Sequence, residues 1–216
     1  MIFKIGGDKL ASSIIHIAIA KKVAEKIKVE NPRDYYLGAI APDIAKQIGI
    51  NRDVSHFVIN SETDIPNINI FVRRYPYFKY NDFDLGYYTH LYADKVWFGE
   101  FLPNFVQNNS IRLLDGTIVN MEPEELVQMI YNDYTNLNIR VIEQQDLDLS
   151  LFYEEFKVPK TNITEIPVNK LDILINKMGI LIENSKKEKT YTLDMFQIND
   201  YIDRVAKEII EELKKY

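Results

Sequence analysis

Residues 85–97 read LGYYTHLYADKVW, and how this stretch folds decides the architecture. Its apolar residues recur at spacings of three and four, the mark of a helix with one buried side. In such a helix His90 and Asp94 project the same way. Extended outward, the period covers FDLGYYTHLYADKVWFGEFLPNFV, a long helix beginning near Asp82 or Asp84. A histidine and an aspartate set among aromatic and aliphatic neighbours must be paired, hydrogen-bonded or bound to a cation, because burying a bare charge is costly.

Helical periodicity continues on both sides. A first helix opens near Ser12 or Ser13 as N-cap and runs through IIHIAIAKKVAEKIKV, ending before ENPRD. A second spans about Arg33 to Ala41 in RDYYLGAIAPDI, where Pro42 disfavours helical geometry at Ala41 and leaves Asp43 at a helix exit. TDIPNINIFVRRY reads as a helix capped by Asp64 with Pro66 in its first turn. Further on, IRLLDGTIVN carries Asp115-Gly116 between short β-prone runs, the strongest hairpin signal present. EPEELVQMIYNDYTNLNIRVIEQQ is helical, its leading glutamates suiting the positive end of the helix dipole. After the loop PKTNITEIP come two amphipathic helices, VNKLDILINKMGILIENSKK and DMFQINDYIDRVAKEIIEELKKY. No repeat, low-complexity tract or linker divides the chain. The expected fold is all-α: a single-domain multi-helix bundle over residues 1–216 with a small β-hairpin excursion.

Composition narrows the chemistry. With 216 residues, 46% of them hydrophobic, the chain can bury a sizeable core. No run approaches the roughly 20 apolar residues of a membrane-spanning helix, and MIFKIGGDKLASS has neither the basic start nor the unbroken apolar stretch of a signal peptide. The expected compartment is therefore the cytoplasm. The chain has no cysteine, which removes disulfides, thiolate zinc sites and cysteine nucleophiles together, so a metal must be held by histidine and carboxylate. A formal charge of -6 argues against an extended nucleic-acid surface. The basic runs SKKEKT and EELKKY are mixed in sign and read as solvated helix ends, and the oligomeric state stays open.

All three histidines, His16, His56 and His90, fall in the first 90 residues, on or beside apolar helical faces. Two aspartates keep comparable company: Asp43 follows a proline, and Asp94 lies one turn past His90. Taken singly, each histidine also fits a core residue bonded to a carbonyl, and the His-X3-Asp pair fits an ordinary helical ion pair. Taken jointly, the five favour one shared metal site of neutral imidazoles and carboxylates. Later in the chain, YNDYTNLN offers Asn132, Asp133 and Asn136 as polar companions on a helical face, or else an exposed stripe. Tyr35, Tyr36, Phe57, Tyr87, Tyr88, Tyr92 and Trp97 are core packing or the wall of a cleft. Arg52, Arg73, Arg74 and Lys95 are surface charges or phosphate contacts.

The ordered series HIAIA, YYLGAIAPDI, SHF and LGYYTHLYAD resembles the zinc-dependent phospholipase C family, closely over about residues 14–98 and in outline beyond. That family shares its fold and zinc site with the fungal single-strand nucleases. The resemblance implies that Asp43, His56, His90 and Asp94 bind one zinc ion, while His16 shares Asp94 to hold another. It implies one or two ions, zinc or another divalent metal, and hydrolysis of a small-molecule or phospholipid phosphoester, with Asp43 orienting the attacking water. Two departures stand out. Trinuclear members use the free amino terminus of a processed chain as a ligand, whereas 15 residues precede His16 here, and no histidine follows His90, so a three-zinc centre is not expected. Two other readings compete. An HD-type phosphohydrolase requires an adjacent His-Asp pair, which the chain lacks. A metal-bearing bundle without turnover, acting as a binding or regulatory module, requires only the first ligand set.

Overall fold

The computed structural model describes residues 12–60 and 63–216. The amino-terminal stretch read for targeting signals, and for a terminal ligand, lies largely outside them. Among the described residues the chain is mostly helical, with nine α-helices and one small sheet.

Helix α1, Ser13–Ala24, is capped by Ser12, whose Oγ accepts from the Ile14 amide at 3.2 Å. Its isoleucines, with Ala18 and Ala20, are buried on every side, the pattern of a helix at the centre of a core. It stops short of the expected Val29, because the Glu30 and Asn31 amides turn aside to donate to Asp82 Oδ2 at 3.1 and 2.6 Å. Helix α2, Pro32–Gly38, is capped by Asn31 and ends before the expected Ala41. Pro42 lies instead in a 3-10 turn, Ala41–Asp43, which leads into the short α3, Ile44–Gln47. The cause is the Ala39 carbonyl: it receives His90 Nδ1 at 2.9 Å, while the Asp43 amide bonds to Ile40. Asp43 therefore sits between two helical pieces and not at a helix exit.

The one-turn helix α4, Arg52–Ser55, was not expected, and His56 closes it. Helix α5, Ile68–Arg74, is capped by Asn67 and not by Asp64, and Pro66 precedes it. Helix α6, Asp82–Val96, begins as expected, with Asn81 as cap, but does not run to Val106 as one α-helix. A π turn over Trp97–Phe101 and a 3-10 turn over Leu102–Asn104 follow, where Pro103 ends regular helical bonding. The hairpin forms as read, from β2, Ser110–Arg112, and β3, Ile118–Asn120, with Gly116 at φ +87° in the turn. A further strand, β1, Val106–Gln107, pairs antiparallel with β2 and makes the sheet three-stranded in the order β1-β2-β3. Three helices complete the chain: α7, Pro123–Gln144; α8, Leu171–Asn184; and α9, Met195–Leu213. The last opens with a capping box between Asp194 and Gln197 and lays its apolar face on α1 and α6.

The buried apolar residues form one cluster around α1, α2, α6 and α9. Helices α2 and α6 meet closely at two glycines. A Cβ on Gly86 would stand 2.0 Å from the Tyr35 carbonyl oxygen, and one on Gly38 would stand 2.1 Å from that of Phe83. Aromatics fill the space around this seam: Phe71 stacks on Tyr87 at 5.8 Å and Phe78 on Tyr88 at 4.6 Å. Of the aromatics read as core or cleft, all but the half-buried Tyr36 are buried in the core.

The loop 159–167 is anchored by Thr161, whose hydroxyl donates to Asp84 near the start of α6. Burial raises the Asp84 pKa to about 6, against the smaller opposing effect of that hydrogen bond. In the unfolded chain the group titrates near 3.8, so the folded state binds the extra proton between about pH 4 and 6. The contribution is thus fully present below the unfolded pKa and lost as pH rises through the folded one. Asp84→Asn is expected to flatten this part of the stability-pH curve, measured by urea midpoints from pH 4 to 7; an unchanged slope would count against it.

Candidate metal centre

Three helices and one turn bring the five expected residues together. His16 comes from α1, Asp43 from the turn after α2, His56 from the end of α4, and His90 and Asp94 from successive turns of α6. All five are buried, none more than 3% exposed. His56 Nε2 lies 3.2 Å from His90 Nε2, 3.5 Å from Asp43 Oδ1 and 3.5 Å from Asp94 Oδ2. His90 Nε2 lies 3.8 Å from Asp43 Oδ1 and 3.7 Å from Asp94 Oδ2. His16 stacks on His90 with ring centroids 3.9 Å apart, and its Nε2 stands 3.3 Å from Asp94 Oδ1.

The second nitrogens of two rings are already committed, which fixes their orientation. His90 Nδ1 donates to the Ala39 carbonyl, and the α2–α6 glycine seam lets that carbonyl come near enough. His56 Nδ1 is held by Ser55 Oγ at 2.8 Å and faces the Arg52 carbonyl at 3.3 Å. Both Nε2 atoms consequently point at the carboxylates. The backbone helps, since Phe57 takes φ 55°, a left-handed conformation that a bulky residue seldom adopts. Its ring is pinned edge-on against Phe71, Tyr75 and Tyr87.

Electrostatics favour neutral imidazoles beside an ionised Asp94. Burial lowers His90 to about 3, and the neighbouring His16 adds to this. Burial likewise drives His56 well below its usual value, with Arg52 contributing. Burial also raises Asp43 well above the carboxylate range, and the Asp94 charge reinforces it. On Asp94 burial acts upward too, but His90, His16 and Arg52 together outweigh it and hold the group below the usual range. Arg52 is the fixed cation, with Nη2 2.5 Å from Asp94 Oδ2 and Nη1 3.2 Å from the Asp64 carbonyl.

This donor set suits a divalent metal. A tetrahedral ion with bonds of roughly 2.0–2.2 Å needs donors roughly 3.3–3.6 Å apart. Five separations among His56 Nε2, His90 Nε2, Asp43 Oδ1 and Asp94 Oδ2 fall between 3.2 and 3.8 Å. His16 Nδ1 and Asp43 Oδ2 are buried without a hydrogen-bond partner, and His16 Nε2 and Asp94 Oδ1 face each other at 3.3 Å, a costly arrangement that a bound cation relieves. Two groups, His16 with Asp43 and His90, and His56 with His90 and Asp94, have ligand atoms within 4.8 Å of one another and can hold an ion.

The later polar residues do not join. Asn132 accepts from Gln128 Nε2, and Asn136 donates toward the Lys189 carbonyl. Asp133 is buried but structural, for its carboxylate receives the amides of Tyr191, Thr192 and Leu193. Besides Asp133, Tyr134 and Asn138 are the α7 residues with polar groups that are buried on its inner side. The signal was available: counting Ile130, Tyr134, Leu137 and Val141 as the buried face of α7 places Asn138 on it. Of the basic residues read as phosphate contacts, Arg52 alone reaches the cluster among the described residues. Arg74 pairs with Glu165, Lys95 lies over the Tyr92 ring, and Arg73 is exposed.

Fold and site together define a helical protein with a buried histidine-aspartate cluster able to hold a metal ion. No helix among the described residues is long and apolar enough to cross a membrane. Comparison with protein-family models, curated proteins and solved structures finds no match.

Proposed function

We propose that the protein is a metal-dependent hydrolase of phosphoesters, with zinc as the simplest metal and the zinc-dependent phospholipase C family as the nearest chemistry. The observation that carries this reading is the set of four buried donor atoms spaced for one tetrahedral ion, with unpartnered His16 Nδ1 and Asp43 Oδ2 alongside. When bound, a divalent ion lowers the pKa of a coordinated water towards about 7 and offsets charge on phosphoryl oxygens. The chain's own residues do the rest. His56 and His90 present neutral nitrogens, locked by Ser55 and Ala39. Arg52 holds Asp94 in place. Asp43, whose Oδ2 has no hydrogen-bond partner, is suited to orient an attacking water.

The test is elemental analysis of protein purified without chelator, followed by assays of mono- and diesters of phosphate. Bound zinc, manganese or iron with turnover that chelator abolishes is the expected result; protein free of all three would sink the reading. A second reading, a metal-bearing module without turnover, draws on the near-complete burial of all five residues, which narrows access for a substrate. An occupied site inactive across the panel would favour it.

A further inference from the structure

One oxygen of the centre has two claimants. Asp94 Oδ2 belongs to the four donors spaced for an ion, 3.5 Å from His56 Nε2 and 3.7 Å from His90 Nε2. The same atom accepts from Arg52 Nη2 at 2.5 Å, a short bond between two full charges.

The guanidinium stands where a cation's charge is needed. Burial keeps His56 and His90 neutral, so neither ring of the donor set brings Asp94 a full positive charge. Arg52 brings one at any ordinary pH, because a guanidinium does not lose its proton in a protein. A buried carboxylate stripped of such a partner is left uncompensated, which destabilises the fold strongly.

Arg52 is also placed to let go. Its side chain is 21% exposed, against 3% or less for those of the five donor residues. Its other contacts lie off the donor set: Nη1 donates to the Asp64 carbonyl at 3.2 Å, and the guanidinium carbon stands 5.0 Å from the centre of the half-buried Phe98 ring. A carbonyl and an aromatic face can keep the side chain after Oδ2 is released.

We propose that Arg52 is the centre's internal competitor for the metal: it neutralises Asp94 in the empty site, yields Oδ2 to an incoming ion, and thereby sets the metal affinity. The inference rests on the metal-binding part of the reading above and not on turnover. A guanidinium that only aimed Asp94 would help the metal to bind, whereas a competitor hinders it, so the sign of one change in affinity decides between the two roles.

Arg52→Gln keeps hydrogen-bond donors beside Asp94 and removes the charge, and Arg52→Lys keeps the charge. Each protein, stripped of metal with chelator, is unfolded in urea and titrated with zinc in competition with a chromogenic chelator. The metal-free glutamine variant is expected to unfold at lower urea, yet to bind zinc about tenfold or more tighter than the parent, while the lysine variant stays within about threefold. Weaker or unchanged zinc binding by the glutamine variant overturns the proposal. A second readout uses the parent alone: by NMR, hydrogen exchange of the Arg52 guanidinium should be slow without metal and faster once zinc is bound. Exchange that zinc leaves unchanged or slows overturns the proposal even if the glutamine variant fails to fold. A chain that takes up no divalent metal overturns it as well, whereas bound metal without turnover removes the hydrolase reading alone.

Discussion

Protein carrying His90→Ala is expected to lose its metal, with affinity down by on the order of a hundredfold or more. His90 belongs to both groups able to hold an ion, and Nε2 is its only uncommitted nitrogen, so no neighbour can substitute. Elemental analysis and competition with a chromogenic chelator check this, and stoichiometric metal in the variant would refute the site as drawn. The companion change Asp43→Asn separates binding from folding. In the metal-free protein Asp43 has a raised pKa, so stability is fully present below the unfolded value near 3.8 and is lost as pH rises through the folded value. The asparagine removes that loss and should stabilise the metal-free chain relative to the parent as pH rises. With excess metal the order should invert, because the ion favours the carboxylate and stabilises the native chain by mass action.

Gly86→Ala is expected to cost about 3 kcal/mol of stability, despite alanine's higher helix propensity. The added methyl would lie 2.0 Å from the Tyr35 carbonyl oxygen and 2.8 Å from the Ala39 amide nitrogen, both backbone atoms that cannot swing away. Helices α2 and α6 must separate, and the Ala39 carbonyl then retreats from His90 Nδ1. Loss of such an orienting bond lowers metal affinity about tenfold or more. Urea denaturation and metal titration read the two effects separately. Gly99→Ala serves as the control, since its nearest neighbour would be a flexible Ile65 methyl at 3.7 Å. Equal stability of the two variants would show that the seam tolerates a methyl.

The residues legible in the sequence were those whose side chains announce their chemistry. Three histidines and two aspartates among apolar neighbours were recognisable as one cluster, because such groups need partners when buried. The helical periods of α1, α6, α7 and α9 were equally plain, and so was the Asp115-Gly116 hairpin. What escaped depends on backbone atoms and distant contacts. The Ala39 carbonyl, which ends α2 early, carries no sequence signal. The Asn67 cap lost to the choice of Asp64, because Asp64 instead meets Arg52. On α7 the polar run drew attention to Asp133, yet its carboxylate serves three amides of a remote segment whose proximity no local pattern reveals.

The left-handed turn at Phe57 has a temporal corollary. A bulky residue holds that conformation only while its ring is clamped by Phe71, Tyr75 and Tyr87, and the direction of the His56 ring is inherited from it. Ion capture should therefore come late in folding, after the aromatic clamp has closed, and a loosely collapsed chain should be blind to the metal.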